Sequence, residues 1–341
     1  MMSLENSRAD LLHSALDLLW CQWTILGVPG RSQDTMSTDA RIIDPEALLL
    51  FTTELGRYDA RLLDEVTNWL RQYARLINVQ RLKTLHHTHR LGDTAALSAL
   101  AATLLQNARM AKWKTLASLA EPPPEPRALF LREDGGDLPT HGPIDPVYAS
   151  YGLTRGLQKP RSDARSPQID EPGTLLLKLR ALFGVSARAE IIAALLTEET
   201  AHPSALAHRI GYLPRTVQDN LNEMALSGHV AGARVPGLRE KHFALRPHDW
   251  RFLITWEPPY FPSWVEWPVR FALVQDALRL LAGKSGPADL STALRCREIY
   301  EQHYPALSRT GLAGGFTRTA HASGIDFAGA FLSELSVSWQ A

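Results

Sequence analysis

From Glu121 to Gly173 the chain reads EPPPEPRALFLREDGGDLPTHGPIDPVYASYGLTRGLQKPRSDARSPQIDEPG, in which Pro and Gly recur without a sustained apolar period. Each proline removes a backbone donor and restricts the residue before it, so no long helix crosses this stretch. The chain must therefore be built from separate blocks on either side. The pattern predicts a helical domain over 1–120, a Pro/Gly-rich linker over 121–173, a compact unit over 174–249 and an aromatic-rich helical domain over 250–341. Ala128 to Leu131, Tyr148 and Tyr151 are apolar islands in the linker, able to lie on a neighbouring surface.

The first block is helical by its period. Pro45 follows Asp44 and suits the first turn of a helix, and Leu62, Leu63, Val66, Trp69, Leu70 and Tyr73 recur at three- and four-residue spacing. Between Arg71 and Arg90 stand Arg71, Arg75, Arg81, Lys83 and Arg90 with three histidines and no carboxylate. Asn78-Val79-Gln80-Arg81-Leu82 echoes the rhythm of Thr216-Val217-Gln218 further on. The tract thus reads either as a divergent first helix-turn-helix with Arg81 and Lys83 on DNA phosphates, or as a solvated basic helix in a scaffold. In the last block Trp250, Trp256, Trp264 and Trp267 crowd among prolines, a pattern read as buried packing because large aromatics carry cores.

The most informative text lies between Leu175 and Arg246. LLLKLRALFG and RAEIIAALL are helical segments, followed by PSALAHRIGYLPRTVQDNLNEMALSGHV. Leu206, Ala207 and Ile210 give a short helix, Gly211 permits a tight turn, and Pro214 opens the next helix where its missing N–H costs nothing. Val217, Leu221 and Met224 share one face of that helix. The opposite face carries Arg215, Asp219 and Asn222, with Thr216 and Gln218 at its edges, a row of polar groups able to read base edges. VAGARVPGLREKHFAL then predicts a β-hairpin turning at Pro236-Gly237, with Arg234, Arg239, Lys241 and His242 placed to touch phosphates.

These residues resemble the winged helix-turn-helix domain of bacterial transcriptional regulators of the MarR and ArsR kind. The likeness is carried by the A-x-x-I-G turn at Ala207 to Gly211, the T-V-x-x-x-L-x-x-M pattern at Thr216 to Met224, the terminating Gly228 and the basic hairpin, and it covers about a fifth of the chain. It implies double-stranded DNA binding. The N-terminal text DPEALLLFTTELGRYDARLLDEVTNWL followed by NVQRLKTL is also similar to winged-helix proteins found beside nucleotidyltransferase-type toxin genes. That likeness implies an operon regulator or an antitoxin-like protein with a cognate toxin as partner.

Charge gives no global steer, since 36 Lys plus Arg balance 36 Asp plus Glu, although residues 175–246 carry nine basic against six acidic side chains. Cys21 and Cys296 stand far apart, which provides neither a disulfide framework nor a cysteine-based zinc site and points to a reducing cytoplasm. The first residues lack the basic start and uninterrupted apolar core of a signal peptide, and no apolar run approaches a bilayer span. His86, His87 and His89 have ligand-like spacing but no acidic or cysteine partner nearby, so they read as part of the basic surface rather than a metal site. Gly283-Lys284-Ser285 lacks the upstream glycine and strand of a phosphate-binding loop, and Gly311, Gly314 and Gly315 follow no strand. No catalytic constellation emerges.

The combined expectation is a mainly α protein with a small β-hairpin wing, a winged helix-turn-helix flanked by helical domains. Its function reads as a cytoplasmic DNA-binding regulator without cofactor, a repressor acting as a homodimer because two recognition helices double the contact set on a palindromic site. The alternatives are a tandem winged-helix initiator of replication or plasmid maintenance, and a protein that binds and masks a partner.

Overall fold

The computed structural model describes residues 3–30, 41–121, 125–161, 164–197, 200–233, 241–253 and 264–340. At its centre lies a helix with no solvent-facing side. After α1 (Leu4–Ile25), α2 (Pro45–Leu55) reads PEALLLFTTEL, and every one of its residues is buried. A helix this apolar all round has to be surrounded. It is started by Asp44, whose carboxylate accepts from the Glu46 and Ala47 amides, with Pro45 in the first turn.

Helices from both ends of the chain cover it. α3 (Ala60–Tyr73), α4 (Val79–His89) and α5 (Thr94–Leu105) follow in sequence, and α1, α4 and α5 touch α2 directly. Trp23 and Trp69 meet edge to face at 5.2 Å, their indole nitrogens donating to Thr52 Oγ1 and to the Leu26 carbonyl. These two buried indoles thus have polar partners as well as apolar neighbours.

The proline-rich stretch lies on this bundle. The short α6 (Lys114–Ala117) leads into β1 (Arg127–Ala128), α7 (Pro146–Ala149) and β2 (Leu153–Thr154), with β1 and β2 paired in parallel. Leu129, Tyr148 and Leu153 form a small buried cluster with Leu63, Ala96 and Ala99. Arg57 is buried beneath it, donating to the Leu129 carbonyl at 3.0 Å and to Asp93 at 3.2 Å. The apolar islands therefore anchor an otherwise irregular chain.

Next come α8 (Leu175–Phe183), α9 (Ala187–Leu196), α10 (Pro203–Ile210), α11 (Pro214–Leu226) and an antiparallel pair, β3 (Val230–Ala233) with β4 (His242–Leu245). The chain ends in α12 (Trp267–Leu281), α13 (Leu290–Arg309), α14 (Thr317–His321) and α15 (Asp326–Gln340). α12 packs on α2, where Phe271 stacks on Phe51 at 4.5 Å and Arg279 pairs with Glu54 at 2.6 Å. Trp250, Trp264 and Trp267 are buried, and Trp256 lies outside the described residues. The fold is mainly helical with two small two-stranded sheets among the described residues. No described helix is long and apolar enough to cross a membrane.

A buried ionic cluster joins α8 and α9 to the central bundle. Arg180, fully buried on α8, donates to both oxygens of Glu46 at 2.6 and 2.9 Å and to Glu190 of α9 at 2.6 Å. Arg81 of α4 reaches Asp44 with two nitrogens at 2.5 and 2.6 Å and Glu46 at 3.0 Å, its guanidinium 4.6 Å from the Trp264 ring centre. Burial opposes the charge on Glu46, but Arg180 and Arg81 outweigh it and hold the carboxyl below its usual range. Glu190 goes the other way. Burial, with Glu46 nearby, raises its carboxyl, and Glu190 Oε2 has no hydrogen-bond partner among the described residues.

Candidate functional site

The polar face predicted on 214–226 is built by local sequence. In α10, Leu206, Ala207 and Ile210 are buried, and Gly211 ends the helix at φ 75°, a left-handed conformation that suits glycine. The Gly211 and Tyr212 amides both donate to the Ala207 carbonyl. Leu213 in extended conformation and Pro214 in the first turn then start α11. Val217, Leu221 and Met224 are its buried residues, and α9 and α10 both pack on it. Gly228, at φ 78°, lets the chain turn into β3.

The two-stranded pair has a third contributor. Ala201, between α9 and α10, exchanges both backbone hydrogen bonds with Phe243 of β4 at 2.9 Å. The order is thus helix, single-residue bridge, helix, helix, strand, strand. Val230 and Phe243 are buried, so the strand pair is fastened to the helices through its inner face.

On the outer side, Arg215 is 93% exposed and pairs loosely with Asp219 at 3.7 Å. Gln218 donates to Asn222 Oδ1 at 3.1 Å, and Lys241 reaches the same oxygen at 3.5 Å while its ammonium lies 4.6 Å from the Phe243 ring centre. Helix and strand pair thereby share one polar surface centred on Asn222. Thr216 is half-buried, and its carbonyl accepts from the Asn220 side chain. His242 is half-buried, its ring 5.7 Å from that of His202. Arg234 and Arg239 lie outside the described residues, as does the Pro236-Gly237 turn.

The two candidates on α4 part company. Arg81, read as a phosphate contact, is inside the ionic cluster with its charge already matched by Asp44 and Glu46. Lys83, two residues on, is exposed at the edge of a cleft. Successive helical residues turn by about 100°, so positions two apart point to nearly opposite sides.

Three features of the site had no local signature. Arg188 of α9 pairs with Glu223 and donates to Asn220 at 3.2 Å, so the carboxylate on the outer side of α11 is neutralised from a neighbouring helix. Asn78, which caps α4, donates to the Tyr212 hydroxyl at 3.0 Å, tying the turn before α11 to the bundle. Arg180 sets the position of α9 from beneath.

The three histidines of α4 have separate environments. His86 bonds to the Leu91 carbonyl and to Thr94, while burial pushes the His89 imidazole down to about 4, with the His303, Arg81 and Arg309 charges adding to the effect. Among the described residues no three His, Cys, Asp or Glu side chains are grouped to hold a metal ion. Comparison of the chain with protein-family models, curated proteins and solved structures found no match, so its function is argued from this geometry alone.

Proposed function

We propose that the chain is a sequence-specific, double-stranded DNA-binding transcriptional regulator in which α10 and α11, with the strand pair as wing, form a winged helix-turn-helix. The observation that carries the reading is the division of α11, whose buried Val217, Leu221 and Met224 leave Arg215, Gln218, Asp219 and Asn222 on the outer side, where Lys241 of the wing meets Asn222. Arginine and asparagine are the side chains suited to guanine and adenine edges in a major groove, and a lysine beside them meets phosphate. The Ala201 bridge to the wing supports the same reading, because it gives the strand pair a fixed angle to the reading helix. As a homodimer on a palindromic site the protein acts as a repressor, each subunit presenting one α11.

Selection of bound duplexes from a random pool, followed by gel-shift competition, tests this. The wild-type protein enriches one sequence, and Arg215→Ala with Asn222→Ala abolishes the preference while leaving thermal stability unchanged. Each lost base contact costs about 1–3 kcal/mol of discrimination. A double variant with the wild-type specificity ratio removes α11 from the reading role.

A further inference from the structure

A second charged feature lies away from α11. The end of α4, the start of α5, the segment leading to β1 and Arg279 of α12 enclose an open cleft of about 850 Å³. Four cations line it, Lys83, Arg90, Arg127 and Arg279, against the carboxylates of Asp93 and Glu121. Two of the four are committed, since Arg127 pairs with Asp93 at 2.6 Å and Arg279 with Glu54 at 2.6 Å. Asp93 is doubly matched, because Arg57 holds it from the buried side at 3.2 Å. The side chains of Lys83 and Arg90, and of His87 beside them, have no ion pair or hydrogen bond among the described residues. The cleft therefore presents uncompensated positive charge.

The wall that carries this charge is rigid. Arg90 sits at φ 51°, the one non-glycine residue with positive φ among the described residues, and Gly92 follows at φ 88°. A side chain at Gly92 would run into the Leu50 carbonyl and Thr53. Gln275, fully buried on α12, accepts from the Gly92 amide at 2.7 Å and donates to the Arg90 carbonyl at 2.9 Å. A core residue thus uses both ends of its amide to fix the turn that aims Arg90. Thr94 and Ala95, in the first turn of α5, face the same cleft, and the Asp93 carboxylate caps that turn by accepting from the Ala96 amide.

We propose that this cleft binds a small phosphorylated molecule of mononucleotide size, its phosphates held by Lys83 and Arg90, its less polar part against Leu119 and Ala120. The volume falls within the range of about 300–1,000 Å³ usual for small-ligand sites. A duplex is a poorer fit, because DNA backbones are met by protruding helices and strands or by an extended basic stripe, whereas this site is concave. The next cation on the helix, Arg81, faces inward and cannot extend the patch. The proposal stands independently of DNA binding by α11.

Isothermal titration of the full chain with inorganic pyrophosphate and with ATP tests it, with sodium sulfate at matched ionic strength and a random 20-base-pair duplex as further arms. The variant is Lys83→Gln with Arg90→Gly, since glycine accepts the φ of residue 90 and both side chains are exposed; Lys83→Glu alone is the second variant if the first melts lower. The expected result is saturable one-to-one binding of ATP or pyrophosphate, weakened at least tenfold in the variant at unchanged melting temperature. The proposal is overturned by the absence of saturable binding at millimolar probe, by equal affinity in the variant, by sulfate matching the phosphates, or by duplex displacing ATP. No DNA selection enters the readout, so failure here leaves the reading of α11 intact.

Discussion

The hydroxyl of Tyr212 accepts a 3.0 Å hydrogen bond from the side-chain amide of Asn78, across 134 residues of sequence. Tyr212 lies in the turn between α10 and α11, and Asn78 caps α4, so one bond ties the proposed reading helix to the central bundle. Tyr212→Phe removes the acceptor and leaves the ring packed. It should lower stability by about 1 kcal/mol, as for a typical partly buried hydrogen bond. Urea unfolding checks this, and an unchanged midpoint means that water replaces the phenol without loss.

Arg180 is the counter-charge for two buried carboxylates, Glu46 and Glu190. Arg180→Met keeps much of the side-chain volume but takes the ion-pair partner from Glu190 and leaves Glu46 with Arg81 alone. A loss of about 3–5 kcal/mol is expected, the range for breaking a buried ion pair by removing one partner. Adding Glu190→Gln should recover part of it, giving a non-additive double-mutant cycle by thermal melts. Strict additivity would show that the two side chains do not act together.

The cluster also predicts a pH dependence. The Glu190 carboxyl is raised above its ordinary 4.5 in the folded protein, so in the interval above 4.5 the folded chain holds a proton that the unfolded chain has released. Stability from this group therefore falls as pH rises through that interval. Glu46 is shifted the opposite way, and its contribution is lost as pH drops below 4.5. Glu190→Gln should flatten the loss above 4.5 and leave the acid-side loss in place. Melting curves of both proteins from pH 3 to pH 8 decide it, and parallel profiles would mean that Glu190 does not titrate differently on folding.

Lys241 stands where the strand pair meets the outer side of α11, its ammonium near both Asn222 and the Phe243 ring. Lys241→Ala should weaken binding to all duplexes alike and reduce the salt slope by roughly one unit, the behaviour of one lost phosphate contact. Fluorescence anisotropy over a salt series measures the slope. A change in base preference at one position would instead place the lysine in a groove.

The helices and strands of 203–245 were legible because their determinants are local: the glycine after Ile210, the proline opening α11, and the three-and-four spacing of Val217, Leu221 and Met224. Arg81 was not. The basic run of 71–90 looks like one surface in sequence, yet it divides into an inward Arg81, matched by Asp44 37 residues earlier, and an outward Lys83 and Arg90. Periodicity reports which face of a helix is apolar, but a buried cation looks polar and is assigned to solvent. The same blindness hid Arg180, whose partner Glu46 is 134 residues away. Apolar islands in the proline-rich stretch were readable, whereas the buried Arg57 that grips the Leu129 carbonyl from 72 residues upstream was not.

The central helix has its own consequence for how the protein is made. α2 emerges from the ribosome early, but the helix that stacks Phe271 on its Phe51 and pairs Arg279 with its Glu54 is separated from it by more than two hundred residues. At typical elongation rates of about 5–20 residues per second, that face of α2 waits on the order of ten to forty-five seconds for its cover. During synthesis the nascent chain therefore carries one apolar face of α2 that stays open until α12 has been made.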